Sequence, residues 1–135
     1  MVEKNSKTIK HWIESAEYDL ESARVMLNGG RFLYVGFLCH LAVEKMLKAC
    51  YVKIKGLTPP YIHKLRELAR EAEIFGMLSD DQKTLLEQLD PLNIQARYPQ
   101  YKDKLSKDFT LKKCQFIISR TEEFIEWLRQ NSLKS

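Results

Sequence analysis

Three side chains able to contact a ligand recur at every fourth position of one predicted helix. They are His40, Glu44 and Lys48. Because an α-helix turns about 100° per residue, these positions stack one above another on a single helix face. Glu44 stands four residues before Lys48, the favourable order for an ion pair along a helix. The face therefore carries a structural ion pair or subunit contacts, faces solvent, or contacts a ligand.

The same face is a poor candidate for a metal site. One imidazole and one carboxylate are a small ligand set, and the sequence offers no His-x-x-x-His pair beside them. A second histidine, His63, follows Pro59 and Pro60 at a predicted helix start. There it can cap or pack, because general-base catalysis needs a partner that the sequence does not identify. We expect no metal, no cofactor and no catalytic residue.

The second candidate site is the segment Arg97-Tyr98-Pro99-Gln100-Tyr101. A guanidinium group binds phosphate through two parallel hydrogen bonds, and tyrosine rings can stack on a nucleobase. In the alternative interpretation, the rings fix this connection to the rest of the protein and Arg97 pairs with a carboxylate. Both interpretations stay open.

Positive charge is concentrated around that segment. The chain carries a net charge of +4, and residues 97–113 hold six basic residues against two acidic ones. The remaining sequence balances 16 basic with 16 acidic residues, so this segment carries the whole excess. Such a local field attracts phosphate groups, although lysine-rich connections are commonly only solvated surface.

Cysteine use and hydropathy indicate a cytoplasmic protein. Cys39, Cys50 and Cys114 lie inside apolar helical patterns without Cys-x-x-Cys spacing, which is typical of a reducing compartment. Residues 1–10 lack the apolar stretch of a signal peptide. The longest run without charge or histidine in the most apolar helix, residues 32–39, is too short to span a bilayer.

These residues must be positioned by helices. Residues 31–55 are apolar on almost every side except the polar face, which predicts a central helix covered by neighbours. Helical periodicity also predicts helices over about 7–27, from about 60 to 76, from 79 to about 91, and over 110–130. Ser79 and Gln82 fit a capping box at the start of the fourth helix. The last helix is predicted to bury Leu111, Cys114, Ile117, Ile118, Phe124, Ile125 and Leu128. The prediction is one all-α domain over residues 1–135, an up-and-down bundle of four long helices plus one short helix.

The central helix resembles the second-helix signature of HEPN domains (higher eukaryotes and prokaryotes nucleotide-binding). Residues 37–49 contain the Ala-x-Glu-Lys-x-Leu-Lys-Ala pattern of that family. Three further landmarks occur in the family's order: Ala16-Glu17-Tyr18-Asp19-Leu20, Ile62-His63-Lys64-Leu65-x-x-Leu68 and Ala96-Arg97-Tyr98-Pro99. The resemblance covers about the whole chain.

One departure from the family pattern bears on catalysis. HEPN nucleases carry an Arg followed by a His, with four to six residues between them, usually late in the chain. Here the last histidine is His63, and eight residues separate Arg31 from His40. The resemblance therefore implies a non-catalytic module that binds a nucleotide or a nucleic-acid phosphate. It further implies a homodimer and a separate nucleotidyltransferase partner, as in a toxin–antitoxin pair.

The expected ligand site combines Arg97 and Tyr98 with Lys45 and Lys48 at the basic end of the central helix. Further members are Tyr101, His63, His40 and Glu44. Two alternatives stay open. One is an RNA-cleaving enzyme with an unconventional site, such as Arg97 with His40 or His63, and the other is a purely structural dimerisation module.

Overall fold

The structure is a computed structural model that describes residues 2–95 and 110–134. Its helices are α1 Val2–Asn28, α2 Phe32–Lys55, α3 Leu65–Glu71, α4 Asp80–Leu89, α5 Leu92–Gln95 and α6 Leu111–Leu128. A 3₁₀ turn covers Phe75–Met77, and a π-helical turn, Arg129–Leu133, extends α6. No strand occurs in these ranges. The predicted all-α bundle is confirmed.

Helix α2 forms the centre of the bundle, as its composition predicts. It packs against α1, α3, α4, α5 and α6. Its apolar side chains are buried among these neighbours, including Val43, Met46 and Leu47, which are fully inaccessible to solvent. The helix ends at Gly56, whose φ of 67° is left-handed and whose N–H donates to the Val52 carbonyl over 2.8 Å.

Helix α3 begins later than its sequence pattern indicates. The pattern predicts a start near Pro60 or Tyr61, but the first helical residue is Leu65. The reason is a long-range cap, because the Leu65 N–H donates to Asp90 Oδ1 over 2.7 Å. The carboxylate at the end of α4 therefore accepts the N–H of the first residue of α3, for which the N-cap residue Lys64 provides no side-chain acceptor.

Local caps define the starts of α4 and α6. Ser79 accepts a hydrogen bond from the Gln82 N–H, and the Gln82 side chain accepts one from the Ser79 N–H, so the predicted capping box is confirmed. Thr110 caps α6 by accepting from the Lys113 N–H. The prediction that Leu111 is buried is wrong. It is the first residue of α6, lies outside the buried layer that begins at Cys114, and is half-exposed.

The three cysteines are free and buried, as their apolar surroundings predict. Desolvation raises the pKa of Cys39 to about 12 and the pKa values of Cys50 and Cys114 to about 11. None of the described helices combines the length and apolar composition that a membrane-spanning helix requires.

We expect the native protein to resist thiol reagents. At pH 8 a thiol with a raised pKa is almost entirely protonated, and the thiolate is the reactive form. Ellman's reagent should therefore titrate none of Cys39, Cys50 and Cys114 in the folded protein, and all three in denaturant. Because their pKa values are higher in the folded than in the unfolded protein, the protonated thiols also contribute to the free energy of unfolding. This contribution is complete below about pH 9, their ordinary pKa, and is lost as pH rises through 11–12. Rapid modification of the folded protein at pH 8 would contradict the burial.

Candidate ligand site on the second helix

The first two side chains of the polar face of α2 point into the bundle rather than to solvent. His40 is fully buried and Glu44 is almost fully buried. The elements that lie against them include the end of α4, through Asp90, and the connection between α2 and α3, through His63. The interpretation of this face as a solvent-exposed seam is therefore wrong for its two most buried members.

The imidazole of His40 lies between two carboxylates. Its Nε2 atom is 3.6 Å from Asp90 Oδ1, and its Nδ1 atom is 3.8 Å from Glu44 Oε1. Neither ring nitrogen has a hydrogen-bond partner among the described residues. Both distances slightly exceed those of a direct hydrogen bond, so the ring lies near both carboxylates without a short bond to either.

Asp90 connects this buried face to two other elements. Its Oδ1 atom accepts the Leu65 N–H, and its Oδ2 atom lies 3.8 Å from the Arg66 guanidinium. Sequence reasoning missed this residue. The available signal was an acidic residue at the end of α4, where the helix dipole disfavours negative charge and another partner must compensate for it.

Glu44 joins the buried part of the cluster to the surface. Its carboxylate lies 3.0 Å from Lys48 Nζ and 3.3 Å from His63 Nδ1. The His63 side chain is 54% exposed, whereas that of Lys48 is largely buried. A carboxylate that accepts the Nδ1–H of an imidazole orients the ring and leaves Nε2 as its remaining polar atom. We name Glu44, Lys48 and His63 the cluster edge.

Aromatic rings flank the cluster edge. Lys48 Nζ lies 5.4 Å from the centre of the Trp12 ring, within the range of a cation–π contact. The Tyr61 ring meets the His63 ring edge-on, with centres 5.8 Å apart, and is almost fully exposed. An ammonium group, an imidazole and two aromatic rings therefore meet where the polar face of α2 reaches solvent.

The structure separates the predicted site residues into three groups. His40, Glu44, Lys48 and His63 lie together, as described above. Lys45 does not join them, because its Nζ atom pairs with Asp19 Oδ2 of α1 at 2.7 Å. Arg97, Tyr98 and Tyr101 lie outside the described residues.

The cluster does not have the geometry of a metal site. Its two carboxylates approach opposite sides of the His40 ring, so their oxygens do not converge with one ring nitrogen on a common point. Within residues 2–95 and 110–134, no group of three or more His, Cys, Asp or Glu side chains is arranged to hold a metal ion.

The fold is similar to that of a solved bacterial protein. The crystal structure of TT1696 from Thermus thermophilus superposes with a TM-score of 0.77 at 18% sequence identity, covering 90% of this chain and 96% of that chain. The comparison with curated proteins gives no significant match. The family model of the HEPN domain matches residues 9–131, which include every described residue of the cluster. The chain therefore belongs to the HEPN domain family.

Proposed function

We propose that this HEPN module binds the phosphate of a nucleotide or nucleic acid, without catalysing a reaction, and acts with a separate nucleotidyltransferase. The observation that carries the proposal is the cluster edge, where Lys48 and His63 meet on the carboxylate of Glu44 beside Trp12. Family membership supports the nucleotide association.

The cluster edge has the donors that a phosphate group requires. A lysine ammonium carries three N–H donors, and the contact of Lys48 with Glu44 uses one of them. The His63 ring contributes a second polar group at the same carboxylate. Because Glu44 neutralises part of this charge, binding needs a further cation, and Arg97 with Tyr98 is the sequence-predicted source.

A phosphate-binding role without catalysis is consistent with the missing nuclease pattern. No histidine follows Arg97 in the sequence, so the Arg-x₄₋₆-His pattern cannot form there.

One observation nevertheless favours RNA cleavage as a second candidate function. The His63–Glu44 contact has the arrangement of a general base oriented by a carboxylate. Metal-independent cleavage of RNA by pure protein, lost in His63→Gln, would favour this alternative.

We expect Lys48→Met to weaken nucleotide binding. Methionine keeps an unbranched side chain against Trp12 but removes the ammonium, and loss of a charge-assisted hydrogen bond costs about 1.5–3 kcal/mol, or roughly tenfold or more in affinity. A thermal-shift panel of nucleotides measures this as a smaller ligand-induced rise in Tm than the wild-type protein shows. The Arg97→Ala variant belongs in the same panel and should also respond less.

Lys53→Met is the matched control for Lys48→Met. Lys53 lies on the same helix, but its Nζ donates to the Lys134 carbonyl, away from the cluster edge. Both variants lose one positive charge, so a general electrostatic effect would weaken binding equally in both. Equal ligand-induced shifts in Tm for the wild type, Lys48→Met and Lys53→Met would contradict the assignment of Lys48 to the site.

We also propose that the module forms a homodimer through helix faces, alone or in competition with the nucleotidyltransferase. Helix α1 exposes Tyr18 and Val25, which lie seven residues apart and thus on one face, and α6 exposes Phe116. Light scattering at high micromolar concentration should give twice the 15.9 kDa chain mass. We expect Val25→Glu to shift the protein toward monomer. A 15.9 kDa species in the wild type would contradict the proposal.

A further inference from the structure

A surface hollow adjoins the cluster edge through Trp12, which lines the hollow and contacts Lys48. Its volume is about 360 Å³, and it is formed by α1, the end of α2 and the connection after it. The walls combine apolar side chains, namely Trp12, Val52, Leu57 and Pro59, with polar ones that include Asn5 and His11. Small-molecule sites in proteins occupy about 300–1,000 Å³, so the hollow suits a small ligand.

Trp12 is the residue that links the hollow to the cluster edge. Its indole lines the hollow, and the ammonium of Lys48 lies 5.4 Å from its ring centre. A ligand with an aromatic ring in the hollow would therefore have Lys48 close to that ring. Aromatic side chains provide stacking planes for nucleobases, with little dependence on base identity.

We infer that the ligand is a nucleoside phosphate whose base enters the hollow against Trp12 while its phosphate contacts Lys48 and His63. This inference rests on the proposed phosphate site and adds the position of the base. Pro59, Leu57 and Val52 supply the apolar surface that a base requires, and His11 and Asn5 supply polar groups for its edges. The small volume favours a mononucleotide over an extended strand.

Gly56 lets the backbone at the end of α2 approach the side chain of Asn5 closely at this hollow. It is left-handed, with φ 67°, and a Cβ atom built on it would lie 3.4 Å from Asn5 Nδ2. The absence of a side chain at this position leaves the Asn5 amide next to the backbone that ends α2. The Asn5 amide is therefore a polar group on the wall that α1 forms.

Intrinsic fluorescence can report on Trp12 alone. The protein has two tryptophans, Trp12 and Trp127. Trp127 stacks on Phe124 and can be replaced by Phe. In the Trp127→Phe protein, ATP should quench the emission of Trp12 in a saturable manner. Inorganic tripolyphosphate, which has no base, should not quench it but should displace ATP. In the reciprocal Trp12→Phe protein, ATP should leave the emission of Trp127 unchanged.

A second variant measures the contribution of the stacking plane. Base–aromatic stacking is worth about 1–3 kcal/mol per base, so Trp12→Leu should weaken ATP binding by about 5- to 150-fold and weaken tripolyphosphate binding much less. If calorimetry detects ATP binding but Trp12 emission does not change, the base does not occupy the hollow, and the phosphate site alone stands. If neither ATP nor tripolyphosphate binds, this inference and the proposed function both fail.

Discussion

Leu47→Ala should lower the free energy of unfolding by about 2–5 kcal/mol, the range for truncating a buried leucine. Leu47 lies in α2, belongs to the contiguous core and is fully inaccessible to solvent. Its truncation leaves a cavity that the surrounding helices cannot close completely, because α2 is packed on several sides. Urea denaturation followed by circular dichroism measures the loss.

Ile54→Ala is the matched control in the same helix. Ile54 lies two turns further along α2, is 55% exposed and should change stability by no more than about 0.5 kcal/mol. A loss below about 0.5 kcal/mol for Leu47→Ala would show that α2 is not the centre of the core.

Asp90→Ala should destabilise the protein by about 1–3 kcal/mol, the cost of leaving a buried donor unsatisfied. The Leu65 N–H, on a fully buried residue, loses its acceptor, and His40 Nε2 loses its neighbouring carboxylate. The start of α3 depends on this cap. Amide hydrogen exchange should therefore accelerate at Leu65 and in the first turn of α3 before it changes in α1.

Asp90→Asn separates the hydrogen bond from the charge. Asparagine keeps a carbonyl oxygen that can accept the Leu65 N–H, so it should lose less stability than alanine does. If Asp90→Ala is as stable as the wild type, the contact at 2.7 Å does not cap α3. If Asn and Ala lose equal stability, the negative charge near His40 matters more than the cap.

The helices were predictable because their signals are local. An apolar repeat defines α2, and Gly56 terminates it with a backbone conformation that glycine adopts readily. The capping box at Ser79 and Gln82 spans four residues, so the sequence carries it in full. Each of these features depends on residues within one or two helical turns.

The start of α3 was not predictable because its cap comes from a distant residue. Asp90 lies 25 positions beyond Leu65, and no local pattern indicates that α4 ends beside the start of α3. The burial of Leu111 was predicted from helical spacing alone. Spacing identifies a helix face, but it does not show where that face extends past its neighbours.

The site was predictable in part. The spacing of His40, Glu44 and Lys48 placed them on one face, and the structure brings them together. The contact of His63 with Glu44 joins residues 19 positions apart and needed the path of the chain after α2. Lys45 and Lys48 both belong to the basic end of α2 in sequence. Only their partners, Asp19 and Glu44, show that they serve different contacts.

Isothermal titration calorimetry with ATP tests most directly whether the cluster edge binds a nucleotide phosphate. The wild-type chain should give a saturable heat, with an affinity that falls as salt rises because ions screen exposed charge contacts. Lys48→Met should weaken this binding, and Lys53→Met should retain it. No heat with millimolar ATP or short RNA, or full binding by Lys48→Met, would contradict a phosphate site at Glu44, Lys48 and His63.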